Sequence, residues 1–272
     1  TAATLTSLNS STPDSNLMTD GLLICGPKDQ PNDIALKADL RSLLAKTSLS
    51  DAFPLTDAPA RDLPGIVKLE PERDINAMGV VTGHCSATRI APNWFLTAAH
   101  CIAEGYDRIV LKVGSEQLSS DQIRRVQADF AVCHGNFTGT STQFANDVAL
   151  VHISDETASG LEDVPVIAWG KTRTPFSKSG FRSARVGGWG LLEHGGEFAD
   201  FLQKEELSIR DIRPDNIHLI SRQGSGPCIG DSGGPLIVED DGRPVMMGVL
   251  STLGRSRTGS ICAGEYLASY IN

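Results

Sequence analysis

The sequence predicts an all-β domain, a sandwich or a barrel, on three observations. From Pro64 onward, short β-branched and aliphatic runs alternate with turn signals, as in Gly65-Ile66-Val67-Lys68-Leu69, Arg108-Ile109-Val110-Leu111-Lys112-Val113 and Val148-Ala149-Leu150-Val151-His152-Ile153. Leu236-Ile237-Val238 and Val245-Met246-Met247-Gly248-Val249-Leu250 flank Glu239-Asp240-Asp241-Gly242, which reads as a hairpin with Asp-Gly at its tip. Strands do not alternate regularly with helices, which argues against a parallel α/β sheet. No solenoid-type repeat is evident.

Residues 1–50 read as an N-terminal extension and 51–272 as the domain. The first 22 residues are rich in Ser and Thr and poor in large apolar groups, the composition of a flexible leader. A helical pattern follows from Asp33 to Lys46, with Ile34, Leu40, Leu43 and Leu44 on one face and Asn32 or Asp33 as N-cap. A surface helix and a pro-segment are both open readings.

The 272 residues suffice for one two-lobed domain and a modest extension. With a formal net charge of −9 and no dense basic stripe, a nucleic-acid partner is excluded on electrostatic grounds. No run of 18 apolar residues is present, so no membrane span is expected. The six cysteines, Cys25, Cys85, Cys101, Cys133, Cys228 and Cys262, contain no C-x-x-C spacing. Cys85, Cys101 and Cys133 each adjoin a histidine, but neighbours on a strand point to opposite faces and chelate one ion poorly. No metal or cofactor is therefore expected. Disulfides in an oxidising compartment are the better reading, which places the chain outside the cell or in a periplasm.

Three segments carry chemistry: Trp94-Phe95-Leu96-Thr97-Ala98-Ala99-His100-Cys101, Asn146-Asp147-Val148-Ala149-Leu150, and Cys228-Ile229-Gly230-Asp231-Ser232-Gly233-Gly234-Pro235. Glycines around Ser232 allow a sharp turn and a close approach to substrate. The N–H groups of Gly230 and Ser232 can converge on one point and stabilise a developing oxyanion. A serine hydroxyl needs a base, which His100 supplies near neutral pH, and a buried carboxylate such as Asp147 fixes the imidazole tautomer. Each segment alone is an ordinary turn or loop; their conjunction is not. Gly230-Asp231-Ser232-Gly233-Gly234 also fits G-x-S-x-G, but that elbow needs a histidine after the serine, and His218 is the last in the chain.

Thr97-Ala98-Ala99-His100-Cys101 and Gly230-Asp231-Ser232-Gly233-Gly234-Pro235 resemble the two signatures of trypsin-like serine proteases. Val186-Gly187-Gly188-Trp189-Gly190, Leu202-Gln203-Lys204-Glu205 and Gly248-Val249-Leu250-Ser251 resemble further strands of that family. The resemblance covers about residues 60–272. It implies two six-stranded antiparallel β-barrels of chymotrypsin type, with His100, Asp147 and Ser232 as the triad in the cleft. It implies polypeptide substrates, with a protein inhibitor as a further partner class. It also implies Cys85–Cys101 and Cys228–Cys262 disulfides. Some members tie a pro-segment to the domain, and Cys25 with Cys133 would do so here; two free thiols are the alternative.

The sequence departs from the family in three places. No Ile-Val-Gly-Gly-like terminus is seen to supply the amine that pairs with Asp231, and a buried Asp231 without a cation would be costly. Arg185 is the candidate substitute; otherwise the chain is a zymogen or an inactive, protease-like binding module. Around the expected substrate-binding positions Gly226, Pro227, Ser251, Thr252, Leu253 and Gly264, the stretch Gly224–Cys228 holds no acid, Leu253 stands where the family has glycine, and Glu265, after Gly264, is the acid that would reach the pocket from its other wall. Finally, Tyr266–Asn272 stands where the family's closing helix would begin.

Overall fold

A computed structural model of the protein describes residues 22–25, 63–75, 79–103, 106–139, 144–170, 180–221, 225–256, 261–262 and 264–271. The helical pattern at 33–46 lies outside these residues. The described residues are mostly β, as the sequence predicts: two large sheets, antiparallel apart from one short parallel pairing at Ala168–Trp169, and a two-stranded ribbon. The N-terminal lobe contains Leu22–Cys25 (β1), Ile66–Asp74 (β2), Val80–Thr82 (β3), Cys85–Ala91 (β4), Trp94–Thr97 (β5), Arg108–Val113 (β6), Arg124–Gln127 (β7), Phe130–His134 (β8), Thr138–Gly139 (β9), Phe144–Ala145 (β10) and Ala149–His152 (β11). The C-terminal lobe contains Ala168–Trp169 (β12), Ser183–Gly188 (β13), Gln203–Ile212 (β14), Asn216–Ser221 (β15), Pro235–Asp240 (β16), Arg243–Leu253 (β17) and Tyr266–Ile271 (β18).

The first sheet runs β1-β8-β11-β5-β4-β2-β6-β7 and curls without closing. In the second, β17-β16-β13-β14-β15-β18 forms a ring because β17 also pairs with β18, so no edge is left open. Tyr266–Ile271, where the resemblance implies that a closing helix begins, is instead the strand that completes this barrel. The two cores meet: Ile237, Met246 and Val249 of β16 and β17 belong to the buried cluster that holds Leu69, Phe95 and Leu111 of the first lobe.

Charged side chains are folded into the first lobe under compensation. Glu70 meets Lys112 at 2.7 Å, and Glu72 meets Arg108 at 2.6 Å. Arg89 is 5% exposed and donates to the carbonyls of Pro92, Leu161, Val164 and Ala158, stitching the segment after β11 to β4. Burying these groups without partners would cost several kcal/mol each, so the pairing is a condition of the fold.

All three disulfides form: Cys85–Cys101, Cys228–Cys262 and Cys25–Cys133. The last joins β1 to β8, whose register sets Cys25 opposite Ala131 and Leu23 opposite Cys133. The hairpin tip is Asp241-Gly242 with φ of 52° and 74°, the doubly positive turn whose twist suits a two-residue connection. Among the described residues no helix is long and apolar enough to cross a membrane.

Candidate active site

β5 ends at Thr97, and the chain tightens into a single 3-10 turn, Ala99–Cys101, that carries His100. Ala98 and Ala99 are fully buried, so only small side chains fit this turn. Asp147 follows Asn146, which takes φ 54°, a left-handed conformation that asparagine tolerates better than most residues. The Val148 N–H closes back on the Asn146 carbonyl at 2.8 Å, and Asp147 at the bend is fully buried.

These two turns meet. His100 Nδ1 lies 2.7 Å from Asp147 Oδ2, and the His100 backbone N–H donates to Asp147 Oδ1 at 2.8 Å. A carboxylate only accepts, so Nδ1 carries the proton and Nε2 keeps its lone pair. Ser251 Oγ donates to the same Oδ2 at 2.6 Å. Its aim comes from a bulge in β17: Leu250 faces Tyr270 and Thr252 faces Ser269, which leaves Ser251 as the unpaired extra residue. The His100 ring stacks on Phe144 with centroids 4.8 Å apart.

Ser232 sits on the turn between Cys228 and β16, and its backbone is clamped to both lobes. The Ser86 N–H of β4 donates to the Ser232 carbonyl at 2.7 Å. Gly233 donates to Leu250 at 2.8 Å, and Leu250 donates to Gly234 at 2.9 Å. Gly233 adopts φ 80°, and a Cβ there would lie 2.2 Å from Thr97 Oγ1 and 3.1 Å from Ala98 N. The residue after Ser232 thus rests on the turn that carries His100. The Cys85–Cys101 bond, one residue from Ser86 and one from His100, fixes β4 to the same turn.

Behind the serine, the Leu191 N–H donates to the Ile229 carbonyl at 2.8 Å. A trans peptide points its N–H opposite to its C=O, so the Gly230 N–H faces away from Leu191. Gly230 has φ 95°, and a Cβ there would meet Phe198 Cε1 at 2.7 Å. Asp231 is 5% exposed and accepts from the Gly190 N–H at 2.6 Å and the Cys228 N–H at 2.8 Å. Burial is the main cause that raises its carboxyl to about 6, against those two N–H donors and Lys68.

Arg185 does not reach Asp231. Its Nη1 lies 3.8 Å from Glu239 Oε2, in a separate cavity also lined by Arg182, Glu206 and Ile237. The reason is strand alternation. Gly188 of β13 faces Asp231, with a built Cβ 2.3 Å from Oδ1, and Arg185, an odd number of residues away, faces the other side. On the other side of Asp231 a buried lysine, Lys68 of β2, donates to the Trp189 carbonyl at 3.3 Å, next to the Gly190 N–H that Asp231 accepts. No local pattern announces it: one lysine in Ile66-Val67-Lys68-Leu69 looks like an outward-facing strand residue.

The expected substrate-binding residues divide between two places. Gly226, with φ 133°, and Pro227 line a cavity together with Gly188, Gly190, Leu191 and Asp231. Tyr266 Oη donates to the Pro227 carbonyl at 2.6 Å and braces this wall. Ser251 and Thr252 line a different groove with Phe144, Asn146 and Asn216. Leu253 is half-buried and packs against the second core, while Gly264 and Glu265 are exposed. Cys85, His100 and Cys101 bring ligand-type atoms within 4.8 Å of one another, but both sulfurs are consumed in their disulfide and offer no thiolate.

Two β lobes with a buried aspartate holding a histidine are the architecture of trypsin-like serine proteases. Residues 59–269 match the Trypsin family, and the chain belongs to it. It is 30% identical over 180 residues to coagulation factor XII of Bos taurus, covering 58% of this chain and 29% of that protein. It is 24% identical over 187 residues to coagulation factor IX of Cavia porcellus, covering 64% and 65%. It is 27% identical over 168 residues to granzyme M of Homo sapiens, covering 56% and 63%. The matched stretch therefore spans less than two-thirds of each of these relatives.

Proposed function

We propose that this chain is a serine endopeptidase that cleaves peptide bonds by acyl transfer. Ser232 Oγ attacks the carbonyl carbon, and His100 Nε2 takes its proton and returns it to the departing amine. Asp147 holds the tautomer and balances the imidazolium that forms. The Gly230 and Ser232 N–H groups receive the oxyanion, each such donor contributing about 100- to 1000-fold in rate. Water, deprotonated by the same imidazole, then releases the acyl group and restores Ser232.

The observation that carries this reading is the His100–Asp147 bond at 2.7 Å, beside a serine loop whose Gly233 packs against the start of the same turn. The substrates are polypeptides, and with all six cysteines paired the chain suits an oxidising compartment, secreted or periplasmic. A fluorophosphonate should label Ser232 and should fail on Ser232→Ala. Absence of label both before and after limited proteolysis of the extension would overturn the reading.

A further inference from the structure

Two N–H donors orient the Asp231 carboxylate but do not neutralise it. A full charge enclosed to this degree calls for a counter-charge, and no chain terminus lies within an intact polypeptide at this point. Lys68 is 1% exposed, one of the largest fully buried side chains among the described residues. It stands opposite Ser86, whose N–H holds the Ser232 carbonyl. From β2 its side chain crosses to the other lobe and donates to the Trp189 carbonyl at 3.3 Å. The next residue, Gly190, donates to Asp231. Phe198 closes the site: Lys68 Nζ lies 5.6 Å from its ring centroid, the ring lies over Gly230, and its other neighbour is His84 at 3.9 Å between centroids.

We infer that Lys68 is a positioning residue: a built-in ammonium that keeps Asp231 ionised and thereby holds the Gly230 peptide in its working orientation in the uncut chain. The inference rests on Ser232 being the nucleophile. The orientation argues for a supporting role and against a locking one, because the Ile229 carbonyl is engaged by Leu191 and the Gly230 N–H points away from that bond.

The charged and titratable groups around Lys68 are Asp231 on the serine loop, Glu70 on its own strand, Lys112 on β6 and His84 before β4. Burial lowers Lys68 to about 8, opposed by Asp231 and Glu70 and reinforced by Lys112. Burial likewise lowers His84, and Lys68 lowers it further. With Asp231 raised to about 6, the pair is ionised on both sides only between those values.

The test uses the full chain, confirmed intact by mass spectrometry, with Lys68→Met and Lys68→Arg variants. The intact wild type should react with a fluorophosphonate, and Lys68→Met should react about 100-fold more slowly, with the loss in kcat and KM little changed. Lys68→Arg should retain activity and move the alkaline limb of kcat/KM from near 8 to beyond 10, since a guanidinium stays charged. A Lys68→Met protein as fast as wild type or faster, or an alkaline limb unmoved in Lys68→Arg, would overturn the inference. If Lys68→Met does not fold, the Lys68→Arg profile decides. A chain inert when intact but labelled after a cut upstream of Leu63 refutes the role of Lys68 and leaves Ser232 standing. No label in either form removes Ser232 itself.

Discussion

Ser251 Oγ donates at 2.6 Å to the very oxygen of Asp147 that His100 Nδ1 reaches at 2.7 Å. The carboxylate is therefore gripped by a hydroxyl, an imidazole and the His100 backbone N–H, and it has no freedom to turn.

Asp147→Asn presents an amide to Nδ1 and stabilises the wrong imidazole tautomer. The expected loss in kcat is about four orders of magnitude. Ser251→Ala removes a hydroxyl donor to a charged carboxylate, worth about 1.5–3 kcal/mol, so kcat should fall by about 10- to 150-fold with KM unchanged. Steady-state kinetics on a peptide substrate separates the two; a Ser251→Ala effect confined to KM would place that residue with the substrate instead.

Gly233→Ala tests the contact between the serine loop and the histidine turn. A Cβ at φ 80° would press 2.2 Å from Thr97 Oγ1 and 2.3 Å from the Ser86 carbonyl. Strain and overpacking together should cost about 3 kcal/mol or more and lower Tm, as a thermal melt would record. An unchanged Tm would mean that the loop does not rest where described.

The buried pair gives stability a pH signature. Asp231, raised from 3.8 to about 6, contributes fully below the lower value and loses that contribution as pH rises through the upper one. Lys68, lowered from 10.5 to about 8, contributes fully above the higher value and loses it as pH falls through the lower one. Both terms are weakest between about 6 and 8. The double variant Lys68→Met/Asp231→Asn should flatten the pH curve and exceed either single variant in stability, because each single change strands a buried charge at about 3–5 kcal/mol. Urea unfolding at acidic, neutral and alkaline pH checks this, and a double variant less stable than both singles would contradict it.

Cys25 and Cys133 are separated by 108 positions. In the chain-entropy model such a loop contributes about 4–5 kcal/mol. Cys25→Ser/Cys133→Ser should lose stability on that scale under urea while Ser232 still takes the fluorophosphonate. Loss of labelling in a folded double variant would show that β1 does more than tether.

Some of this was legible in the chain and some was not, for physical reasons. The Asp241-Gly242 tip could be read because a doubly positive turn restricts its residues so strongly. His100, Asp147 and Ser232 could be singled out because their immediate neighbours are constrained by the tight turns that hold them. The aim of Ser251 could not be read, since it comes from a register shift between two strands rather than from its neighbours. Arg185 looked suitable by nearness to Gly188-Trp189-Gly190, but alternation along β13 turns it to the opposite face. Lys68, Glu70 and Glu72 share one face of β2, and they are buried because the second lobe and the arginines of β6 and β7 cover that face. Long-range pairing leaves no local trace.

The β1–β8 staple also governs what happens to a chain that has been nicked. A single break anywhere between Cys25 and Cys133 yields two fragments that still travel together on a denaturing gel, and only added reductant separates them. Shedding the leading segment past Cys25 therefore demands a reducing step as well as a cut.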